Sequence, residues 1–225
     1  MRTAAVLPMR HTSERVPGKN YRPLGGIPLY HHITLTLLEI EEIDQIVIDT
    51  DSDYIKEDAA KHFPSVTILD RPVHLRDGAI AMNDVLLNTV GNIDADVILQ
   101  SHSTNPFLKA RTIRNALQRF ATDQECDSLF SVTRLQGRLW DQFVKPVNHD
   151  PSILLRTQDL DPIYLENSCF YIFTKEVLKQ CNNRIGTHPI MVEVDPDEAI
   201  DIDVEQDFRM AELMWAEDPK LDIAR

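Results

Sequence analysis

Short apolar runs recur along this chain, and windows of helix length separate them. Thr3–Leu7, Gln45–Ile48, Val66–Leu69 and Asp96–Gln100 are the first four. A strand–helix–strand rhythm of this kind favours an α/β fold with a largely parallel sheet. Helices are expected from Pro28, tolerated in a first turn, to Leu38, and from a Ser52 or Asp53 cap to about Phe63. Two more are expected near Met82–Val90 and from beyond Pro106 to about Phe120. A strand over 127–133 follows, and then the rhythm breaks. From about 134 to 165, Gly137, Pro146, Pro151 and Pro162 punctuate short apolar stretches. That segment reads as an insertion or arm, of the kind that often mediates dimer contacts. Ser168–Phe173 restores a strand, Lys175–Gln180 a helix and Ile190–Val194 a strand, and an amphipathic helix over Glu205–Glu217 closes the chain. Without repeats, low-complexity tracts or linkers, a single domain over 1–225 is expected.

Charge narrows the function. With 36 acidic against 23 basic residues, the net charge of -13 argues against a nucleic-acid-binding surface, which must be basic. No apolar stretch approaches the roughly 20 residues of a membrane span, and the first residues do not form a secretory leader. Cys126, Cys169 and Cys181 are odd in number and form no CxxC pair. They read as reduced thiols in a cytoplasmic protein, with neither disulfides nor zinc.

Against that acidic background one loop is basic. Between the first strand and Arg22 the chain places Arg10, Arg15, Lys19 and Arg22 against a single acid, Glu14. Guanidinium forks and an ammonium on a turn beside Gly18 suit a polyphosphate, although a solvated surface loop has the same composition. The stretch is not a P-loop: Asn20 follows Gly18-Lys19 where Ser or Thr belongs.

A second constellation is acidic. Asp201-Ile202-Asp203 has the period of an extended segment, with both carboxylates on one face and Ile202 on the other. Paired carboxylates near phosphate suit Mg²⁺. Asp203 is equally placed to cap the last helix. Asp49-Thr50-Asp51 ends a strand where open α/β sheets bind ligands, or else forms a helix-capping turn. Gln100-Ser101-His102-Ser103-Thr104-Asn105-Pro106 is a polar loop at another strand end, with His102 able to donate, accept or titrate. Glu166-Asn167 leads into a buried strand carrying Ser168, Cys169 and Tyr171. The apolar context of Cys169 argues against a nucleophile.

As an ordered series these segments resemble the acylneuraminate cytidylyltransferase (CMP-sialic acid synthetase) family. Members open on a strand followed by A-R-x-G-S-K-x-x-P-x-K-N. Here Met9 to Asn20 matches, with Arg10, Ser13, Pro17, Lys19 and Asn20 in place. Asp49-Thr50-Asp51 matches the S-T-D turn, Arg71-Pro72 the following R-P, and Thr104-Asn105-Pro106 the T-S-P. Asn167 to Tyr171 parallels N-G-A-I-Y, and Asp201-Ile202-Asp203 with Asp207-Phe208 parallels the closing D-I-D motif.

The resemblance implies a single Rossmann-like, three-layer nucleotidyltransferase domain with a dimerisation arm. It implies transfer of CMP from CTP to the anomeric hydroxyl of a 2-keto sugar acid, with release of pyrophosphate. Arg10, Lys19 and Asp203 would be catalytic. Ser13, Asn20, Asp49, Thr50, Asp51 and Arg71 would join Arg10 and Lys19 around the nucleotide. Asp201 and Asp203 would hold Mg²⁺. His102, Ser103, Thr104, Asn105, Asn167 and Tyr171 would contact the sugar acid. Arg156 and Gln158 on the arm would reach it from the partner of a homodimer. Glu14 stands where the family has Lys, His11-Thr12 replaces a Gly, and Leu165-Glu166 replaces Arg-Pro. The nucleotide half is therefore better kept than the acceptor half. Another acceptor on the same fold, or a non-catalytic nucleotide-binding protein, are the competing readings.

Overall fold

Alternate residues of the first strand enter different cores. In β1 (Thr3–Met9), Ala5, Leu7 and Met9 join one apolar cluster, while Ala4 and Val6 join another. Helices on both faces follow from that two-sided burial. The computed structural model of the chain, which describes residues 1–217, has β4 (Gln45–Thr50), β5 (Thr67–Asp70) and β6 (Val97–Ser101) around β1. Completing the sheet are β7 (Ser128–Leu135), β8 (Ile163–Thr174) and β9 (Pro189–Glu193), in the order β5-β4-β1-β6-β8-β7-β9. All neighbouring pairs are parallel except those made by β8, which runs against β6 and β7. The expected mostly parallel α/β sheet is present.

Side chains of α1 (Leu29–Leu38), α2 (Asp53–His62) and α4 (Ala110–Thr122) fill the core on one face. Those of α3 (Met82–Gly91) and α5 (Lys175–Cys181) fill the other. Ser52 is the cap of α2, its Oγ accepting from Ile55 N at 3.3 Å. Pro28 lies one position earlier than expected, extended at the cap of α1. It ends a two-stranded hairpin, β2 (Pro23–Leu24) and β3 (Ile27–Pro28), that sequence reading missed. Both linking residues, Gly25 and Gly26, have positive φ, and a Cβ on Gly25 would fall 2.0 Å from the Trp215 indole. The hairpin thus packs onto α6 (Glu205–Glu217), closing a third apolar cluster of Val16, Leu24, Ile202 and Phe208.

The irregular segment is shorter than the sequence implied. Beyond Val132, β7 pairs only with β8, as far as Leu135 opposite Ile163. This two-stranded ribbon carries the excursion 136–162. No helix among the described residues is long and apolar enough to cross a membrane.

Candidate active site

The loops leaving β1 and β6 meet where chain order switches from one side of β1 to the other, the position at which open α/β sheets form clefts. Gly18 takes the left-handed conformation (φ 68°), and a short 3₁₀ turn, Lys19–Tyr21, follows it. The backbone around that turn is pinned from three sides. His11 N donates to Asp51 Oδ1 at 2.7 Å, and its ring Nδ1 lies 2.8 Å from Ser52 Oγ. Asn20 Nδ2 donates to Arg10 O at 2.7 Å, and its Oδ1 accepts from Ser103 Oγ at 2.6 Å. Val16 is buried in the third cluster.

A cleft of about 400 Å³ results, lined by Arg10, Ser13, Arg15, Lys19, Asn20 and the 102–104 loop. Arg10 packs over Gly78, where a Cβ would come 2.5 Å from its Nη1. A second cavity, of about 330 Å³, shares Lys19, His102 and Thr104 with the cleft and adds Asn105, Ser168, Arg184, Asp201 and Asp203. Lys19 therefore stands between the two.

The alternation read from Asp201-Ile202-Asp203 is realised: Ile202 is fully buried while both carboxylates line the second cavity. Lys19 Nζ donates to Ile202 O at 2.5 Å and lies 3.6 Å from Asp203 Oδ1, which also accepts from Arg15 at 2.7 Å. Burial lowers the Lys19 pKa, and the two aspartates partly counter it. Burial raises that of Asp201, and the neighbouring Asp203 raises it further. Asp203 is not a helix cap. Asp207, in the first turn of α6, reaches back instead, its Oδ2 accepting from the backbone N–H groups of Asp203 and Val204 at 2.8 Å.

Asp201 Oδ1 is buried without a donor. An orphaned carboxylate oxygen beside a second carboxylate, in the cavity that shares Lys19 with the basic cleft, fits a hard divalent cation. Among the described residues no group of three or more His, Cys, Asp or Glu gathers into a metal site. Phosphate and water would have to complete the coordination, as they do for Mg²⁺.

Several expected residues face elsewhere. Arg71 and Asp49 are buried against each other, Nε to Oδ1 at 2.6 Å, and Thr89 also donates to Asp49. Thr50 is buried, its Oγ1 accepting from Ser52 N at 3.1 Å. None of these lines the cleft; of this turn it is Asp51 that holds the basic loop, through His11 N. Arg22, counted among its cations, pairs with Glu205 at 2.7 Å and stacks on Phe208. Arg156 forks onto Asp159 and Gln158 is exposed, both on the arm and away from the cavities of this chain.

In the acceptor region, Asn105 Nδ2 donates to Ile200 O at 3.1 Å. Asn167 bridges a bulge, donating to Thr133 Oγ1 and accepting from Cys169 N. Tyr171 is fully buried; its hydroxyl donates to Glu166 and lies 3.0 Å from Ser168 Oγ. Cys169 is likewise buried, and burial pushes its pKa up to about 12, which removes it as a nucleophile. Sequence reading missed Arg184, whose guanidinium lies 3.8 Å over the Tyr171 ring. Nothing in Asn182-Asn183-Arg184 marks it, because a solitary arginine in a turn has no spacing to read.

The cytidylyltransferase family model matches residues 4–217. An N-acylneuraminate cytidylyltransferase of Oncorhynchus mykiss is 29% identical over 93% of the chain and 49% of the relative, so the chain spans about half of that protein's length. A CMP-N,N'-diacetyllegionaminic acid synthase of Legionella pneumophila is 30% identical over 95% of the chain and 96% of the relative. Among solved structures, a CMP:2-keto-3-deoxy-manno-octonic acid synthetase complexed with CTP superposes with a TM-score of 0.70 at 14% identity, over 96% of this chain and 99% of the other.

Proposed function

We infer the reaction from one premise: the chain belongs to the cytidylyltransferase family. It transfers CMP from CTP to the anomeric hydroxyl of a 2-keto sugar acid of the nonulosonic type, releasing pyrophosphate. The observation that carries this reading is the meeting of Arg10, Arg15 and Lys19, with Glu14 as the one acid among them, and the Asp201–Asp203 carboxylate pair where the cavities share Lys19. Triphosphate lies against Arg10, Arg15 and Lys19, with Ser13 and Asn20 at its edge. The acceptor lies in the second cavity, over 102–105 and near Asn167 and Tyr171. The acceptor oxygen bonds to the α-phosphorus as the bond to the β-phosphate bridge breaks, and the hydroxyl proton is released to solvent. Lys19 neutralises charge at the centre, and Arg10 and Arg15 hold the departing pyrophosphate. No covalent enzyme intermediate is needed. Asp201 and Asp203 would hold Mg²⁺, which would supply further charge neutralisation at the α-phosphate.

The enzyme works as a homodimer. The exposed apolar side chains of the arm support this reading, Leu154 at 89% and Phe143 at 71% exposed among them. Three unpaired cysteines fit a reducing, cytoplasmic setting.

The test is pyrophosphate release from each of the four nucleoside triphosphates with Mg²⁺, against N-acetylneuraminate, N,N'-diacetyllegionaminate and 3-deoxy-manno-octulosonate. Release with CTP and one acid is expected, and Asp203→Asn should lower it at least 100-fold while CTP still raises the melting temperature. Silence across the panel in the wild type, with CTP still stabilising, would keep the nucleotide site and remove the sugar-acid assignment.

A further inference from the structure

Arg184 Nη1 donates to Gln100 Oε1 at 2.8 Å. A guanidinium can only donate, so the Gln100 amide must turn its oxygen toward it. Its nitrogen then faces His102 Nε2, 2.8 Å away, and donates there. With Nε2 accepting, the neutral imidazole keeps its proton on Nδ1. Arg184 thus sets the tautomer of His102 through one amide. Stacking on the Tyr171 ring fixes the plane of the guanidinium.

No carboxylate lies within ion-pair distance of Arg184 among the described residues. Glu166, a nearby carboxylate, accepts a hydrogen bond from the Tyr171 hydroxyl instead. Arg184 Nε is buried with no acceptor. A guanidinium held in place without a counter-ion, in the wall of a cavity, is arranged for an anion that comes from outside. Ser168, Asn105 and Thr104 add neutral polar groups to the same wall.

We propose that Arg184, with His102 as a second donor and Gln100 as the residue positioning both, reads the carboxylate of the acceptor. The inference rests on the acceptor reading of this cavity given above. Lys19 already has Asp203 beside it, whereas Arg184 has no carboxylate partner among the described residues, so the acid group is drawn to Arg184 and the uncharged hydroxyl is left to face Lys19.

The three acids named above, and their 1-carboxamides, are titrated calorimetrically into the wild-type chain with CTP present and divalent metal chelated. The wild type should bind one acid at least tenfold more tightly than its amide. Arg184→Met should erase that preference, raising the acceptor KM at least tenfold with the CTP KM within twofold. Gln100→Glu keeps the size of the side chain but gives Arg184 an internal counter-ion, and should do the same at an unchanged melting temperature. Equal binding of acid and amide by the wild type, no binding of any acid, or an unaltered acid preference in both variants overturns the proposal. Selective acid binding lost in both variants, from a wild type that releases no pyrophosphate, would uphold the carboxylate site and overturn the transfer reaction.

Discussion

Arg71 follows a strand in a position where an arginine reads as a ligand group, yet its side chain is 2% exposed and pairs with a fully buried Asp49. Removing one partner of such a pair leaves a charge in low dielectric, which costs about 3–5 kcal/mol, whereas replacing both by apolar groups is often neutral. Arg71→Met should therefore lower the urea midpoint sharply, and Arg71→Met with Asp49→Leu should recover most of it. If the double variant keeps its stability but loses CTP affinity more than tenfold, Arg71 reaches the nucleotide after all. Residues differ in how much neighbours reveal about them. Asp201 and Asp203 were legible because an extended backbone fixes which side chains share a face. Arg71 and Arg184 were not, since Asp49 and Gln100 reach them only through folding.

Elements were legible wherever one periodicity governed them. Apolar runs marked the parallel strands because both faces of the sheet are covered. The antiparallel direction of β8 had no such mark: direction depends on how the chain returns from 136–162, not on the composition of the strand. The Gly25-Gly26 pair did carry a hairpin signal, masked by strands of only two residues. On the arm, Phe143 and Leu154 are largely exposed, so Phe143→Asp with Leu154→Asp should leave the fold intact. In sedimentation velocity the wild type should run as a dimer and the variant as a monomer. Loss of acceptor turnover should accompany the change, because Arg156 and Gln158 would no longer reach a partner. A monomeric wild type would remove the dimer proposal.

Across the whole molecule, three histidines in different packing environments should act in one direction with pH. His31 is buried against Asp58 at 2.6 Å, with His62 nearby, and burial outweighs the carboxylate to lower its pKa. His32 donates Nε2–H to Leu24 O, and its Nδ1 is buried without a partner, so protonation would place an uncompensated charge under the hairpin. Around His102, burial first and then Arg184 and Lys19 push the pKa down to about 4, against a smaller opposing effect of Asp203. In each case the unfolded chain takes up a proton near pH 6.5 that the folded chain refuses until lower pH. Stability is then full above about pH 6.5 and falls as pH drops toward the folded values. For His102 alone the loss is at most about 3 kcal/mol between pH 6.5 and 4. Two effects oppose this sign. Protonation reduces self-repulsion in a chain of net charge -13, and the raised pKa of Asp201 makes its ionisation destabilising as pH rises. A fall in melting temperature from pH 7 to pH 5 therefore identifies the histidines as the larger influence. His31→Gln, His32→Gln and His102→Gln combined should flatten that slope whatever they do to the value at pH 7. A wild-type melting temperature that is level or rises on acidification would show that charge relief dominates.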